Sequence, residues 1–125
     1  GVTIQNAIIK DGCGLAPQDA VSAKAFVQLL TIMYRSSNAD AWIASLPVSG
    51  QSGTLKSLCP NTALEGRIHA KSGTIAGTKN FAGYIDAPNG DTWVFAILIN
   101  SAPGKARNIQ TIIQQYLLDV YKQHQ

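Results

Sequence analysis

Residues 92–100 (TWVFAILIN) are almost wholly apolar, and they directly follow Pro88-Asn89-Gly90-Asp91. Pro, Asn, Gly and Asp together favour a tight reversal of an extended chain. The apolar run is therefore expected to be the return strand of a hairpin, and its near-continuous hydrophobicity fits a central strand covered on both faces. Two further strands are expected upstream, over 67–73 and 80–87. Downstream, Ile109, Ile112, Ile113, Tyr116, Leu117, Val120 and Tyr121 draw a helical stripe to the C-terminus. A three-stranded antiparallel sheet with this helix laid across it would bury both apolar surfaces, which makes the fold class α+β, an antiparallel sheet with packed helices.

The first half reads differently. Ser22 is placed as a helix N-cap, and Phe26, Leu29, Leu30 and Met33 follow at three- and four-residue spacing. This predicts a helix over 22–35. Ala41, Trp42, Ala44 and Leu46 predict a short second helix that Pro47 stops. Residues 49–53 form a polar, glycine-bearing loop, and Leu55 and Leu58 fit one helical turn. A short strand is expected over 3–10, broken by Asp11-Gly12-Cys13-Gly14; Pro103-Gly104 punctuates the chain before the last helix. The expected organisation is helical over 1–60, with strands and the terminal helix over 66–123. Trp42, Trp93, Phe95 and Tyr116 are expected in the core.

Composition excludes several function classes. At 46% hydrophobic and 14% charged, the chain is no disordered tail. It holds no apolar run of membrane-spanning length, and its opening residues lack the basic start and apolar core of a secretory signal. The net charge of +3 comes from scattered cations rather than a stripe, so no nucleic-acid partner is expected. Cys13, Cys59, His69 and His124 are too few and too dispersed for a metal motif, and neither a metal nor a cofactor is expected. The two cysteines form either one disulfide or two separate thiols.

The sharpest chemical feature is His69-Ala70-Lys71-Ser72-Gly73-Thr74. Lys71 supplies charge, Ser72 and Thr74 supply hydroxyls, and Gly73 leaves room for a ligand backbone to pair with the strand. Taken alone, these residues also fit a solvated edge strand with Lys71 as a charge against aggregation. His69 shares a strand face with Lys71 and reads as a half-buried histidine rather than a base. Lys79 and Asn80 read as solvent-facing turn residues, Asp11 as a turn carboxylate bonded to local backbone, and Ser36-Ser37-Asn38 as the loop that ends a helix.

The motif has company. Residues 11–15 (DGCGL), the capped helix, 46–55 (LPVSGQSGTL), 66–86 (GRIHAKSGTIAGTKNFAGYID) and the strand ending ILIN at Asn100 occur in that order. The series resembles the C-terminal part of the penicillin-binding D-alanyl-D-alanine carboxypeptidases that also act as endopeptidases, over about residues 10–113. Their pattern is DGSGLS, LPVAG..GTL, AKTGTL.G...LAGY and a hydrophobic strand. The resemblance implies the penicillin-binding, β-lactamase-like transpeptidase fold. It also implies acyl transfer by an active-site serine, with three motifs, Ser-x-x-Lys, Ser-x-Asn and Lys-Thr/Ser-Gly.

Only the third motif stands where the family has it, as Lys71-Ser72-Gly73; Ser36-Ser37-Asn38 spells Ser-x-Asn but lies between DGCGL and LPVSG, whereas the family's motif sits upstream of DGSGL. The resemblance therefore implies that the nucleophile lies upstream of this chain, and that these residues are the C-terminal fragment of one catalytic domain, inactive alone. It assigns Lys71 and Thr74 as catalytic, Thr74 through an oxyanion-hole N–H, and Ser72, Gly73 and Thr74 as substrate-binding. The implied partners are a peptidoglycan stem peptide, β-lactam antibiotics and the missing N-terminal part, in the periplasm or cell envelope. The alternatives are a non-catalytic peptidoglycan- or partner-binding module of the same fold, or a related β-lactamase or esterase. Two departures stand out: Ser72 replaces Thr, keeping a hydroxyl, and Cys13 replaces the serine of DGSGL with a weaker donor. If the three strands belong to a larger sheet, the isolated fragment is expected to form a homodimer, exchange strands or aggregate.

Overall fold

The computed structural model describes residues 1–2, 4–75, 77–100 and 105–125. The element order is α1 (Ala23–Tyr34), α2 (Ala39–Ala44), a single 3-10 turn (Gly53–Leu55), β1 (Ile68–Ile75), β2 (Thr78–Asp86), β3 (Thr92–Ile99) and α3 (Ala106–Lys122). Ser22 caps α1, its hydroxyl accepting the Ala25 N–H at 3.2 Å. The expected antiparallel sheet forms in the order β1-β2-β3. Ile68 pairs with Ile85 and Phe81 with Ile97, so alternate residues of all three strands share a face.

Each face has its own helical cover. Ile68, Ala70, Phe81 and Ile85 pack with Leu55, Leu58 and Leu64 against Ile109, Ile113, Leu117 and Tyr121 of α3. On the other face Tyr84 packs with Leu30 and Leu46, bordered by Trp42, Ile43, Ala82 and Val94. Tyr84 is the polar pin of that layer: its hydroxyl donates to the Leu30 carbonyl at 2.7 Å and accepts the Trp42 Nε1–H at 2.9 Å. Gly83 lies so close to β1 that an added Cβ would stand 2.1 Å from the His69 carbonyl oxygen, so no side chain fits there.

Four expectations change. The apolar strand β3 is the sheet's outer strand among the described residues, not its centre. Its apolarity serves the two helical layers, Trp93, Phe95, Ile97 and Ile99 toward α3 and Val94 toward α1. The opening segment makes one bridge, Ile8 to Ala20, instead of a strand, because no other strand lies beside it among the described residues; Thr3 and Pro103-Gly104 lie outside those residues. Tyr116 is 60% exposed rather than core, as is its neighbour Ile112, because α3 turns only the 109–113–117–121 row fully inward. Finally, the loop after Pro47 conceals a buried tether. Ser49 is fully buried, donating to the Leu64 carbonyl at 2.6 Å and accepting the Ile68 N–H at 3.0 Å.

Candidate active-site edge

That tether is what positions β1. The Ala70 N–H donates to the Pro47 carbonyl at 3.1 Å, and the Ser49 N–H donates to the Ile68 carbonyl at 2.9 Å. Residues 47–49 thus cover the outer edge of β1 as far as Ala70. Alternation turns the N–H groups of Ser72 and Thr74 to the same outer edge. No strand of the described residues pairs with them. This is a short length of strand left open for a guest chain.

The four residues expected at the site come together around this edge. Lys71 pairs with Ala82 and lies on the α1 face, whereas Ser72 and Thr74 pair with Phe81 and Lys79 and lie on the α3 face. The edge therefore has an ammonium on one side and two hydroxyls on the other. The Lys71 Nζ donates to the Ser72 carbonyl, one of the outward edge groups. Ser72 Oγ is 2.7 Å from Thr54 Oγ1, so the 3-10 turn holds the hydroxyl in place. Gly73 is exposed, and an added Cβ would meet nothing nearer than the Asn80 Cβ at 4.0 Å. The space beside it is open.

Thr54 is a site neighbour that sequence reasoning missed; the signal was the GTL of the second block, eighteen residues from Ser72. Lys79 and Asn80 are corrected. Both are half-buried. The Asn80 side chain accepts the Ile99 N–H at 3.0 Å, and the Lys79 Nζ donates to Thr74 Oγ1 at 2.9 Å while lying 5.2 Å from the centre of the Phe81 ring. Burial pushes the Lys79 ammonium below the ordinary lysine range. His69 is half-buried and lies 3.5 Å from the Asp86 carboxylate across the sheet.

The DGCGL loop is organised by its first residue. Asp11 accepts the backbone N–H groups of Cys13, Gly14, Leu15 and Ala16, and the Cys13 thiol lies 3.4 Å from its Oδ2. The Gly14 hydrogen bond leads in lowering its carboxyl to about 2. Asp11 is thus a turn carboxylate, as its position suggested, and Cys13 keeps a thiol contact where a serine would bond more strongly. Ser36 Oγ donates to the Met33 carbonyl and accepts the Asn38 N–H, which makes this stretch the junction of α1 and α2. Cys13 is exposed and Cys59 buried, and both are free thiols. No group of three or more metal-ligating side chains occurs among the described residues, and no helix there is long and apolar enough to cross a membrane.

Known proteins resemble this chain in sequence and in fold. A family model described as the D-Ala-D-Ala carboxypeptidase 3 (S13) family matches residues 1–120. The chain is 37% identical over 111 residues to a D-alanyl-D-alanine carboxypeptidase of an Actinomadura species, covering 85% of this chain and 20% of that protein. It is 30% identical over 116 residues to the penicillin-sensitive carboxypeptidase A of Dictyostelium discoideum, covering 86% of this chain and 22% of that one. Among solved structures, penicillin binding protein 4 of Haemophilus influenzae, complexed with a novel β-lactam, superposes with a TM-score of 0.89 at 22% identity. That match covers 97% of this chain and 30% of the other, and it supports the fold expected from the sequence. The chain spans about a fifth of the length of the curated relatives, 20% and 22% for the two named.

Proposed function

This chain belongs to the D-Ala-D-Ala carboxypeptidase 3 (S13) family, and from that premise we propose that it supplies the strand-edge half of a serine-type D-alanyl-D-alanine carboxypeptidase/endopeptidase site. The reaction is cleavage of peptidoglycan stem peptides through an acyl-enzyme, in the bacterial envelope. The 125 residues form part of a single catalytic domain, and the nucleophilic serine comes from sequence outside them. The observation that carries this reading is the open edge of β1 beyond Ala70, with Lys71 on one face and Ser72 and Thr74 on the other.

The chemistry follows from that layout. A peptide ending in D-alanyl-D-alanine lies along the edge, where Gly73 leaves room for its backbone. The serine oxygen attacks the carbonyl carbon between the two D-alanines. The negative charge that develops on the carbonyl oxygen is received by the outward N–H of Thr74, a fixed donor that needs no reorganisation. The serine's proton passes to the departing nitrogen as the C–N bond breaks, terminal D-alanine leaves as its free amine, and water hydrolyses the acyl ester to regenerate the serine. Lys71 contributes positive potential on the nucleophile's side. The Ser72 hydroxyl, steadied by Thr54, donates to the terminal carboxylate. A β-lactam carries the same carbonyl and carboxylate and acylates the same serine.

Gly73→Ala tests the edge with little risk to the fold, because the added methyl meets no close neighbour in the chain. In the chain joined to the segment that supplies the serine, benzylpenicillin acylation followed by intact mass should slow about a hundredfold, as for a misplaced reacting group. Unchanged acylation would remove the edge from the site. The 125-residue chain alone should gain no adduct; a stoichiometric one would put the nucleophile inside it. Separately, the outer edges of β3 and of β1 beyond Ala70 predict self-association of the isolated chain. A monomer by light scattering at high concentration would contradict this.

A further inference from the structure

Lys79 is a half-buried cation without an anion. The one ion pair among the described residues joins His69 to Asp86, on the other face of the sheet. Lys79 donates instead to the neutral hydroxyl of Thr74. It also lines a cavity of about 590 Å³ with Ser57, Arg107, Gln110, Thr111 and Gln114. No carboxylate is among these residues. Ser57 and Gln110 bond each other, and the Thr111 hydroxyl donates to the Arg107 carbonyl. Gln114 accepts the Cys59 N–H through Oε1, which leaves its amide nitrogen out of that bond. The lining thus carries two positive charges and no negative one, in a volume that suits a small ligand. Burial has already lowered the affinity of Lys79 for its proton, which an incoming anion would restore.

Position narrows the ligand. Lys79, in the cavity wall, links it to the proposed site by its bond to Thr74, on the α3 face shared with the Ser72 hydroxyl. Lys71 stands on the opposite face and donates to the Ser72 carbonyl. We propose that Lys79, seconded by Arg107, is the cation that binds the free carboxylate of a ligand lying on β1, with the Thr74 hydroxyl between them. This deepens the function proposed above and rests on it. It makes Lys79 a specificity-determining residue that favours peptides ending in a free acid over those ending in an amide.

The test is an NMR titration of the chain joined to the segment that supplies the serine, with that serine replaced by alanine, using D-alanyl-D-alanine and its C-terminal amide and repeated on Lys79→Met and Lys79→Arg. Methionine keeps an apolar stem over Phe81 and removes only the charge. The wild-type chain should bind the acid about tenfold more tightly than the amide, the worth of one charge-assisted hydrogen bond. Lys79→Met should reduce that preference to about twofold or less, and Lys79→Arg should keep it. If the acid preference survives in Lys79→Met while the Ser72 and Thr74 amides still shift, Lys79 is not the carboxylate partner and the edge reading stands. If Lys79→Met weakens acid and amide equally, Lys79 acts only by placing Thr74, which also overturns the inference. If neither ligand shifts either set of resonances, both readings fall.

Discussion

The sheet and the opening twenty residues are held together in opposite ways. From Leu46 onward the chain closes on itself: Leu55, Leu58, Leu64 and Ile68 have no exposed surface, and Ser49 stitches two backbone groups inside the same core. The opening residues leave their apolar side chains outside, with Ile4 53%, Ile9 62% and Leu15 71% exposed. Their order comes from one backbone bridge and two carboxylates, Asp11 and Asp19, the latter accepting the Lys10 N–H at 2.6 Å. Yet the family match runs through both regions, over residues 1–120. Shared sequence pattern therefore does not measure self-sufficiency. One region encodes its own core, and the other presents apolar surface that its own fold does not cover.

Truncations should expose this difference most strongly. Leu64→Ala empties a fully buried position and should cost about 4 kcal/mol, within the usual range for core leucines. Ile9→Ala, at an exposed position, should cost under about 0.5 kcal/mol. Urea denaturation of both variants checks the pair, and equal losses would erase the contrast. Gly83→Ala comes next. Its methyl would collide with the β1 backbone rather than with a movable side chain, so the upper part of the overpacking range, about 3 kcal/mol, is expected. Ser49→Ala leaves the Ile68 N–H and the Leu64 carbonyl without the hydroxyl they share, and about 2 kcal/mol should be lost.

The same contrast explains what could be read in advance. The hairpin of β2 and β3 was legible because turn chemistry and alternation are local signals. The Lys71–Thr74 edge was legible because three motif blocks around it stood in the right order. Ser49 was not, since a buried serine looks like any loop serine until its partners, Leu64 and Ile68, are brought to it. Tyr116 and Ile112 were misjudged because a wide apolar stripe on a helix does not say how much of it is covered. Lys79 could have been placed by parity: it shares a strand face with Phe81 and Ile85, and that face is the buried one. The residues around Ile8 had β-branched composition but no partner strand among the described residues, and pairing, not composition, makes a strand.

Chemical reactivity gives a gentler test that leaves the fold intact. Cys59 is buried, and desolvation pushes its thiol up to about 11, so the reactive thiolate is scarce at neutral pH. Cys13, in the opening region, is exposed. A disulfide reagent should therefore titrate one thiol in the native chain and two in denaturant. Two fast equivalents without denaturant would mean that the core opens as readily as the loop.

The smallest effect expected is the most local one, the acid response of the DGCGL loop. The Gly14 N–H, the Asp19 side chain, the Ala16 N–H and the Cys13 thiol all bond Asp11, which favours its charged form and lowers its carboxyl from an ordinary 3.8 to about 2. The sign follows from linkage: a carboxyl that is more acidic in the folded loop stabilises it fully above the unfolded value. That contribution then fades between about pH 4 and pH 2 as the proton is taken up. The Gly14 and Ala16 amide resonances should hold their shifts down to about pH 3 and move only toward pH 2, where Asp11 protonates. Asp11→Asn should displace those two resonances at neutral pH and abolish their acid titration, while the amides of β2 stay in place. Movement of Gly14 and Ala16 near pH 4 would show an ordinary carboxyl, and the opening region would then lack the one contact that orders its loop.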